Sequence, residues 1–510
     1  MGAGGDPRIR CGSGRLARRR PGGVRGMRGV RIPAKRRAVA ALAVAWLAGC
    51  GLFKIGPDYV TPEAATAPQW IDYKDPRIQS EETDLSSWWS VFNDPALEAL
   101  VDQASRENLT LKAAVERIHV AQARLKYTAG NLYPQDQAAF GGFTAARGSK
   151  EAANFSPTLD ATTTNWEFGL AASWELDLWG VVRRAIESAD AELQASIADY
   201  DDVLVLLFAE VARNFVLYRT FEERLVHVRG NLEVQERSYE LTQEKFKAGA
   251  VTERDVQQAK QILEQTRSRI PPLLAGLRQA SNALSVLLGS PPRDLSETLG
   301  VNGPIPTVPA SVAIGIPADL LRRRPDVRRS ERLAAAQSAH IGIAKGEYYP
   351  HFSITGTIGY RADDFGDLFN GSALFGAIGP SFRWNILQYG RTAALVEGEE
   401  AAFRVRVAEF QDTVLRAGQE ADDAATLFLS AQDEAAALAE SVTASRRTVE
   451  ITIDQYKAGA VDFTPVFLFQ ATLTEQEDSL AALRGQIALN LIALYRALGG
   501  GWEMRLHENP

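Results

Sequence analysis

Cysteine is almost missing from this chain of 510 residues. Its two copies, Cys11 and Cys50, lie near the start in no spacing that suits a metal site or a disulfide framework, which argues against thiol chemistry. The five histidines, His119, His227, His340, His351 and His507, are scattered without metal-ligand spacing. Neither a Gly-rich phosphate loop nor a nucleophile elbow is present. Acidic pairs such as Glu222-Glu223 and Asp422-Asp423 fall in helical stretches and read as solvated faces. No catalytic residue, cofactor or metal site is therefore expected.

Long apolar runs are also lacking. The longest, "AVAALAVAWLAGC" ending at Cys50, is shorter than the roughly 20 residues a spanning helix needs. It follows the cationic stretch Arg28, Arg31, Lys35, Arg36 and Arg37, so the two together read as an export signal. Its end, Leu47-Ala48-Gly49-Cys50, resembles the bacterial lipobox, which implies a covalent lipid on Cys50 as the first mature residue. Gly51 follows, where an aspartate would have suggested retention in the inner membrane. Met27 is the better start, because the Arg- and Gly-rich stretch before it has no place in a signal peptide. Residues 1–49 hold 12 of the 56 Lys+Arg and one of the 63 acids, so their removal leaves 44 basic and 62 acidic residues, a net charge of −18. Such a chain is ill suited to binding nucleic acid through a basic face.

What is present is repetition. "KAGAV" occurs at Lys247, Ala248, Gly249, Ala250 and Val251, and again at Lys457, Ala458, Gly459, Ala460 and Val461, an offset of 210. "WELDLWG" at Trp174 and "WNILQYG" at Trp384 share that offset, and a Tyr-Pro pair recurs at Tyr133 and Tyr349. Each half reads as a helix, a Tyr-Pro break, two extended runs, a very long helix, the KAGAV turn and a returning helix. A duplication accounts for this, and its period is too long for a solenoid.

The extended runs alternate with period two. Trp166, Phe168, Leu170, Ala172, Trp174, Leu176 and Leu178 occupy one face, with Glu167, Gly169, Ala171, Ser173, Glu175 and Asp177 on the other. Phe352, Ile354, Ile358 and Tyr360 alternate in the same way, as do Ile378, Phe382, Trp384 and Ile386. After Tyr133 the pattern weakens, with Phe140 and Phe143 out of phase, and a bulge at Gly141-Gly142 is expected. A soluble sandwich alternates too. Strand length, aromatics at the strand ends and the export signal favour a membrane barrel. Four strands cannot close one, since about 8 are needed, and an open edge in lipid costs several kcal/mol per unpaired group. Sharing among chains gives eight strands for a dimer or twelve for a trimer.

The rest is helical. No proline interrupts about 181–247 or 391–457, and roughly 1.5 Å per residue makes each about 100 Å long. Val203, Leu206, Leu207, Val211, Phe215 and Tyr218 form a packing stripe. Returning helices at about 253–288 and 463–498 complete two hairpins whose tips are the KAGAV turns, and the Pro- and Gly-rich 290–317 reads as a linker. The expected organisation is a leader (1–49), an N-terminal extension (50–105), a first repeat (106–289), the linker, a second repeat (318–500) and a tail (501–510).

With the lipobox, "GPDYVTP" from Gly56, the duplicated unit and "LLRRRPDVRRSERLAAAQSAHIGIAKGEYYPHFSITG" from Leu320, the chain resembles the outer-membrane efflux proteins of the TolC and OprM type, in the NodT-like lipoprotein branch. The resemblance covers residues 50–510. It implies an α+β membrane protein, in which a homotrimer shares a 12-strand β-barrel in the outer membrane, continued by an α-helical periplasmic tunnel. It implies as partners a periplasmic adaptor and an inner-membrane pump, most often of the resistance-nodulation-division type, that pass small toxic compounds to the exterior. Protein secretion through the same conduit, or a lipid-anchored coiled-coil spacer, are the alternatives. In the family the tips meet the adaptor and form the entrance. Here the second tip runs on as Asp462, Phe463, Thr464, Pro465, Val466, Phe467, Leu468, Phe469, with Leu468 where an acid is usual. The gate candidates are thus Asp462, Phe463, Phe467 and Leu468, with Asp255 after the first tip.

Overall fold

A computed structural model describes residues 53–81, 84–149, 151 and 162–507. Cys50 and the leader lie outside the described residues. Two helices precede the first long strand: α1 (Pro95–Glu107), whose first amides are capped by Asp94, and α2 (Leu109–Gly130), capped by Asn108. Strands β2 (Asp136–Arg147) and β3 (Thr162–Leu176) follow, then α3 (Val181–Lys247), α4 (Glu253–Arg267) and α5 (Ile270–Leu287). The second half repeats the order with α6 (Pro325–Gly346), β5 (His351–Ala362), β6 (Leu374–Arg383), α7 (Arg391–Lys457) and α8 (Phe463–Ala497). Both α3 and α7 have 67 residues, about 100 Å of helix.

The sheet is antiparallel, in the order β2-β3-β5-β6, so β2 and β6 are unpaired edges within the chain. One face carries Leu170, Ile358, Leu374, Ile378 and Phe382, all exposed in the single chain. Glu167 and Arg361 pair at 3.0 Å on the other. The expected bulge is absent, because every residue from Asp136 to Arg147 pairs one for one with β3. Phe140 and Phe143 therefore point to opposite faces, and Phe143 stacks on its partner Trp166 with ring centroids 4.4 Å apart. A second departure is that β6 ends at Arg383, before Trp384 and Ile386.

The recurring motifs build the corner between sheet and helices. Trp174 Nε1 donates to Leu132 O at 3.2 Å, and Trp384 Nε1 donates to Tyr348 O at 3.0 Å, each to the carbonyl before a Tyr-Pro pair. The closing glycines, Gly180 (φ +80°) and Gly390 (φ +83°), turn the chain into the long helices from a left-handed conformation.

Below this corner the helices lie in a row, α2–α3–α6–α7, and farther on the row becomes α4/α5–α3–α8–α7. In both, α7 is one flank, while α2 and then α4/α5 form the other. The main core sits at mid-length, where Trp88 stacks on Tyr495 (5.3 Å) and Trp89 meets Phe208 (4.8 Å). Leu207, Val211, Phe215 and Tyr218 are buried there, whereas Leu206 is 44% exposed. The signature "RRRPDV" works in this core. Buried Arg324 donates to Asp326, Glu420 and the Ala497 carbonyl, joining α6, α7 and the end of α8. The first returning helix, expected to be continuous, is broken at Ser268-Arg269. Pro271 and Pro272 lack the N–H groups that would carry the ladder through, and they sit instead at the start of α5. Within 290–317, Val312-Ala313 forms strand β4, paired in parallel with β1 (Ile78–Gln79) of the N-terminal extension.

Candidate functional site at the hairpin tips

Both KAGAV turns close α3 and α7 in the same way. Ala250 N–H donates to Lys245 O (2.8 Å) and Gly249 N–H to Phe246 O (2.9 Å); Ala460 and Gly459 repeat this with Gln455 O (2.9 Å) and Tyr456 O (3.1 Å). These are the paired bonds of a Schellman cap, which needs a left-handed residue after the helix. Gly249 (φ +73°) and Gly459 (φ +76°) supply it, and a Cβ at either would touch nothing within 4 Å. Glycine is therefore required by the backbone and not by crowding.

Lys247, Ala248, Gly249 and Ala250 are exposed, as are Lys457, Ala458, Gly459 and Ala460. Val251 and Val461 turn inward onto a small apolar cluster of Ala259, Tyr456, Phe463 and Val466. The two tips differ just before the motif: Phe246 is 44% exposed, while Tyr456 is 2% exposed and meets Phe463 edge to face at 5.4 Å.

The gate candidates separate. Asp255 is buried and closes a capping box, accepting from Thr252 N (2.9 Å) and Thr252 Oγ1 (2.8 Å). Burial pushes its carboxyl up, but those bonds and Arg254 outweigh burial and hold it below the usual range. Phe463 is fully buried and Phe467 half-buried. Asp462 stays exposed, caps α8 through Thr464 N (3.2 Å) and receives Arg254 at 3.4 Å. Leu468 (53%) and Phe469 (41%) are exposed.

Two links between the hairpins were not anticipated from sequence. Lys245 donates to the Tyr456 carbonyl with its ammonium 4.3 Å from the Tyr456 ring centroid, and Tyr456 Oη donates to Thr242 Oγ1 at 3.2 Å. Arg254 bridges to Asp462 across the tips. These partners lie more than 200 positions apart, so no local pattern marks them. The Asp255 cap did have a signal, since Thr252-Glu253-Arg254-Asp255 has the capping-box spacing.

A sheet with two open edges, carried on helices about 100 Å long and ending in two exposed turns, defines a class. The family model described as outer membrane efflux protein matches residues 100–290 and 316–500, and the chain belongs to that family. Nodulation protein T of Rhizobium leguminosarum bv. trifolii is 30% identical over 462 residues, 89% of this chain and 95% of that protein. Outer membrane protein OprJ of Pseudomonas aeruginosa is 29% identical over 467 residues, 91% of this chain and 96% of its own length. Among solved structures, the outer-membrane channel OprN matches with a TM-score of 0.82 at 30% identity, over 88% of this chain and 99% of that one. The protein is an outer-membrane channel of an efflux system, and its family is one of transport proteins. Among the described residues no helix is long and apolar enough to cross a membrane.

Proposed function

We propose that three copies of the chain assemble head to tail into a 12-strand barrel continued by a helical tunnel, and that this conduit exports small toxic compounds handed on by a periplasmic adaptor and an inner-membrane pump of the resistance-nodulation-division type. The observation that carries the reading is the pair of open flanks. β2 and β6 are unpaired edges, and α7 flanks the helices on one side with α2 and α4/α5 on the other. In lipid those edges would leave backbone groups unpaired at several kcal/mol each. Joining β6 of one copy to β2 of the next removes every edge, and a rotation that closes after three steps gives the 12 strands.

Cys50 carries the covalent lipid in this reading. Support comes from Phe53, three positions later, whose carbonyl accepts from Arg183 Nη2 (2.9 Å) at the corner of sheet and helices. Duplication of one ancestral half is supported by the matched Trp174 and Trp384 bonds and the two identical caps. The adaptor docks on Lys247, Ala248, Gly249 and Ala250 and on their counterparts Lys457, Ala458, Gly459 and Ala460, where small exposed side chains let another helical hairpin approach closely. Asp462, with exposed Leu468 and half-buried Phe467 behind it, forms the entrance. Asp255 and Phe463 serve as cap and core.

Gene deletion followed by toxin-susceptibility profiling tests the reading, with complementation by a variant carrying Gly249→Pro and Gly459→Pro. Proline removes the N–H that closes each cap and fixes φ near −65° where about +75° is needed. Efflux is expected to be lost while the trimer persists. Unchanged export by the variant would remove the docking assignment, and unchanged susceptibility on deletion would remove the efflux role.

A further inference from the structure

One cross-strand row breaks the alternation of the sheet. Phe140 pairs with Gly169, Gly169 with Gly359, and Gly359 with Phe375, so a single line across four strands reads Phe-Gly-Gly-Phe. It lies on the face of Asp136, Glu167, Ser173 and Arg361, opposite the apolar face of Leu170, Ile358 and Ile378. Both glycines are buried and both rings half-buried, because each ring lies over a glycine. A Cβ on Gly169 would stand 2.8 Å from Phe140 Cζ, and one on Gly359 would stand 3.2 Å from Phe375 Cε1. Toward the base, the next row on this face is Ala138, Ala171, Thr357 and Ala377. In the other direction it holds Glu167 and Arg361, paired at 3.0 Å. The Arg361 guanidinium carbon lies 4.7 Å from the Phe375 ring centroid.

We infer that Phe140 and Phe375 form an aromatic belt on the barrel lumen that stacks on planar aromatic cations as they leave. The inference rests on the trimeric barrel proposed above, in which three copies contribute two triads of rings. On the base side, the small residues of the next row leave the rings standing above their neighbours. Rings held against the wall offer a face to the lumen, and a π face attracts cations; on Phe375 the Arg361 guanidinium already occupies such a position, and a cargo ring there takes its place. The occupant's charge follows from the lumen face, where Asp136, Glu167 and Glu175 outnumber Arg361 and Arg383, and from the −18 net charge of residues 50–510. The rings thereby bias which cargo dwells in the barrel.

The test titrates 9-aminoacridine, a planar aromatic cation, onto the full-length protein in lipid nanodiscs, with empty nanodiscs subtracted and native mass recorded on each sample. Phe140→Leu with Phe375→Leu keeps an apolar cover on both glycines but removes the π faces. Wild type is expected to bind, and the double variant to bind about tenfold more weakly or less, the scale of one lost stacking contact, with three chains in both. Equal affinity, or no binding by a wild-type trimer, overturns the belt and leaves the channel reading intact. Particles without three chains overturn both.

Discussion

Arg184→Ala should release the segment around Ile55 and Gly56 from the channel. The Arg184 side chain, at the first turn of α3, is 1% exposed. Its Nε donates to Ile55 O (2.9 Å) and its Nη2 to Gly56 O (2.9 Å), while Glu187 (2.8 Å) and Asp58 (3.1 Å) balance its charge. Gly56, at φ +93°, is pressed so close to α6 that a Cβ would stand 2.4 Å from Gly342 Cα. A bond to a charged group contributes about 1.5–3 kcal/mol, so losing the two carbonyl bonds weakens the strap by about 3 kcal/mol, or about a hundredfold in its opening equilibrium. The Ile55 amide reports this directly, because it donates to Trp179 O at 3.0 Å. Hydrogen exchange at Ile55 should accelerate about a hundredfold in Arg184→Ala. In Lys54→Ala, which removes a 36% exposed side chain, it should rise at most about fivefold. Equal exchange in the two variants would refute the latch.

Phe463→Ala removes a fully buried ring from the small tip cluster and should cost about 3–5 kcal/mol locally, seen as faster thermolysin cleavage near the tips with the mid-length core unaffected. Gly485→Val places a Cβ against Thr220 Oγ1, where α8 packs on α3. Overpacking of about 1–3 kcal/mol should lower Tm, and Thr220→Ala in the same chain should restore part of it. Burial raises the Asp202 carboxyl from 3.8 to about 6, with nearby Asp326 adding to it. The folded chain then binds an extra proton between those values, so this contribution to stability is present below about pH 4 and lost as pH rises through about 6. Asp202→Asn should therefore raise stability at pH 7 by about 1–3 kcal/mol and leave it unchanged near pH 4, as measured by thermal unfolding at both.

The strands and long helices were legible because their periodicity is local. β3 alternates without a break, and no proline falls within α3 or α7. Phe140 misled for a physical reason: period-two reasoning assigns every large apolar residue to one face, so an aromatic on the small-residue face looks like a slipped register. The break at Ser268-Arg269 was visible in Pro271-Pro272 but was outweighed by the helical pattern on both sides. At the tips the glycine caps could be read from five residues. The division of labour among Asp255, Asp462 and Phe463 could not, because it depends on which side of α4 and α8 faces the neighbouring hairpin. Arg324 stood out only as part of a signature and Arg184 not at all; that both hold backbone carbonyls follows from tertiary contacts.

Closure of the open flanks requires two further copies of the chain. Native mass measurement of the detergent-extracted mature protein tests this most directly. Three chains per particle, each bearing one lipid on Cys50, is the predicted result; a stable monomer or dimer would contradict it.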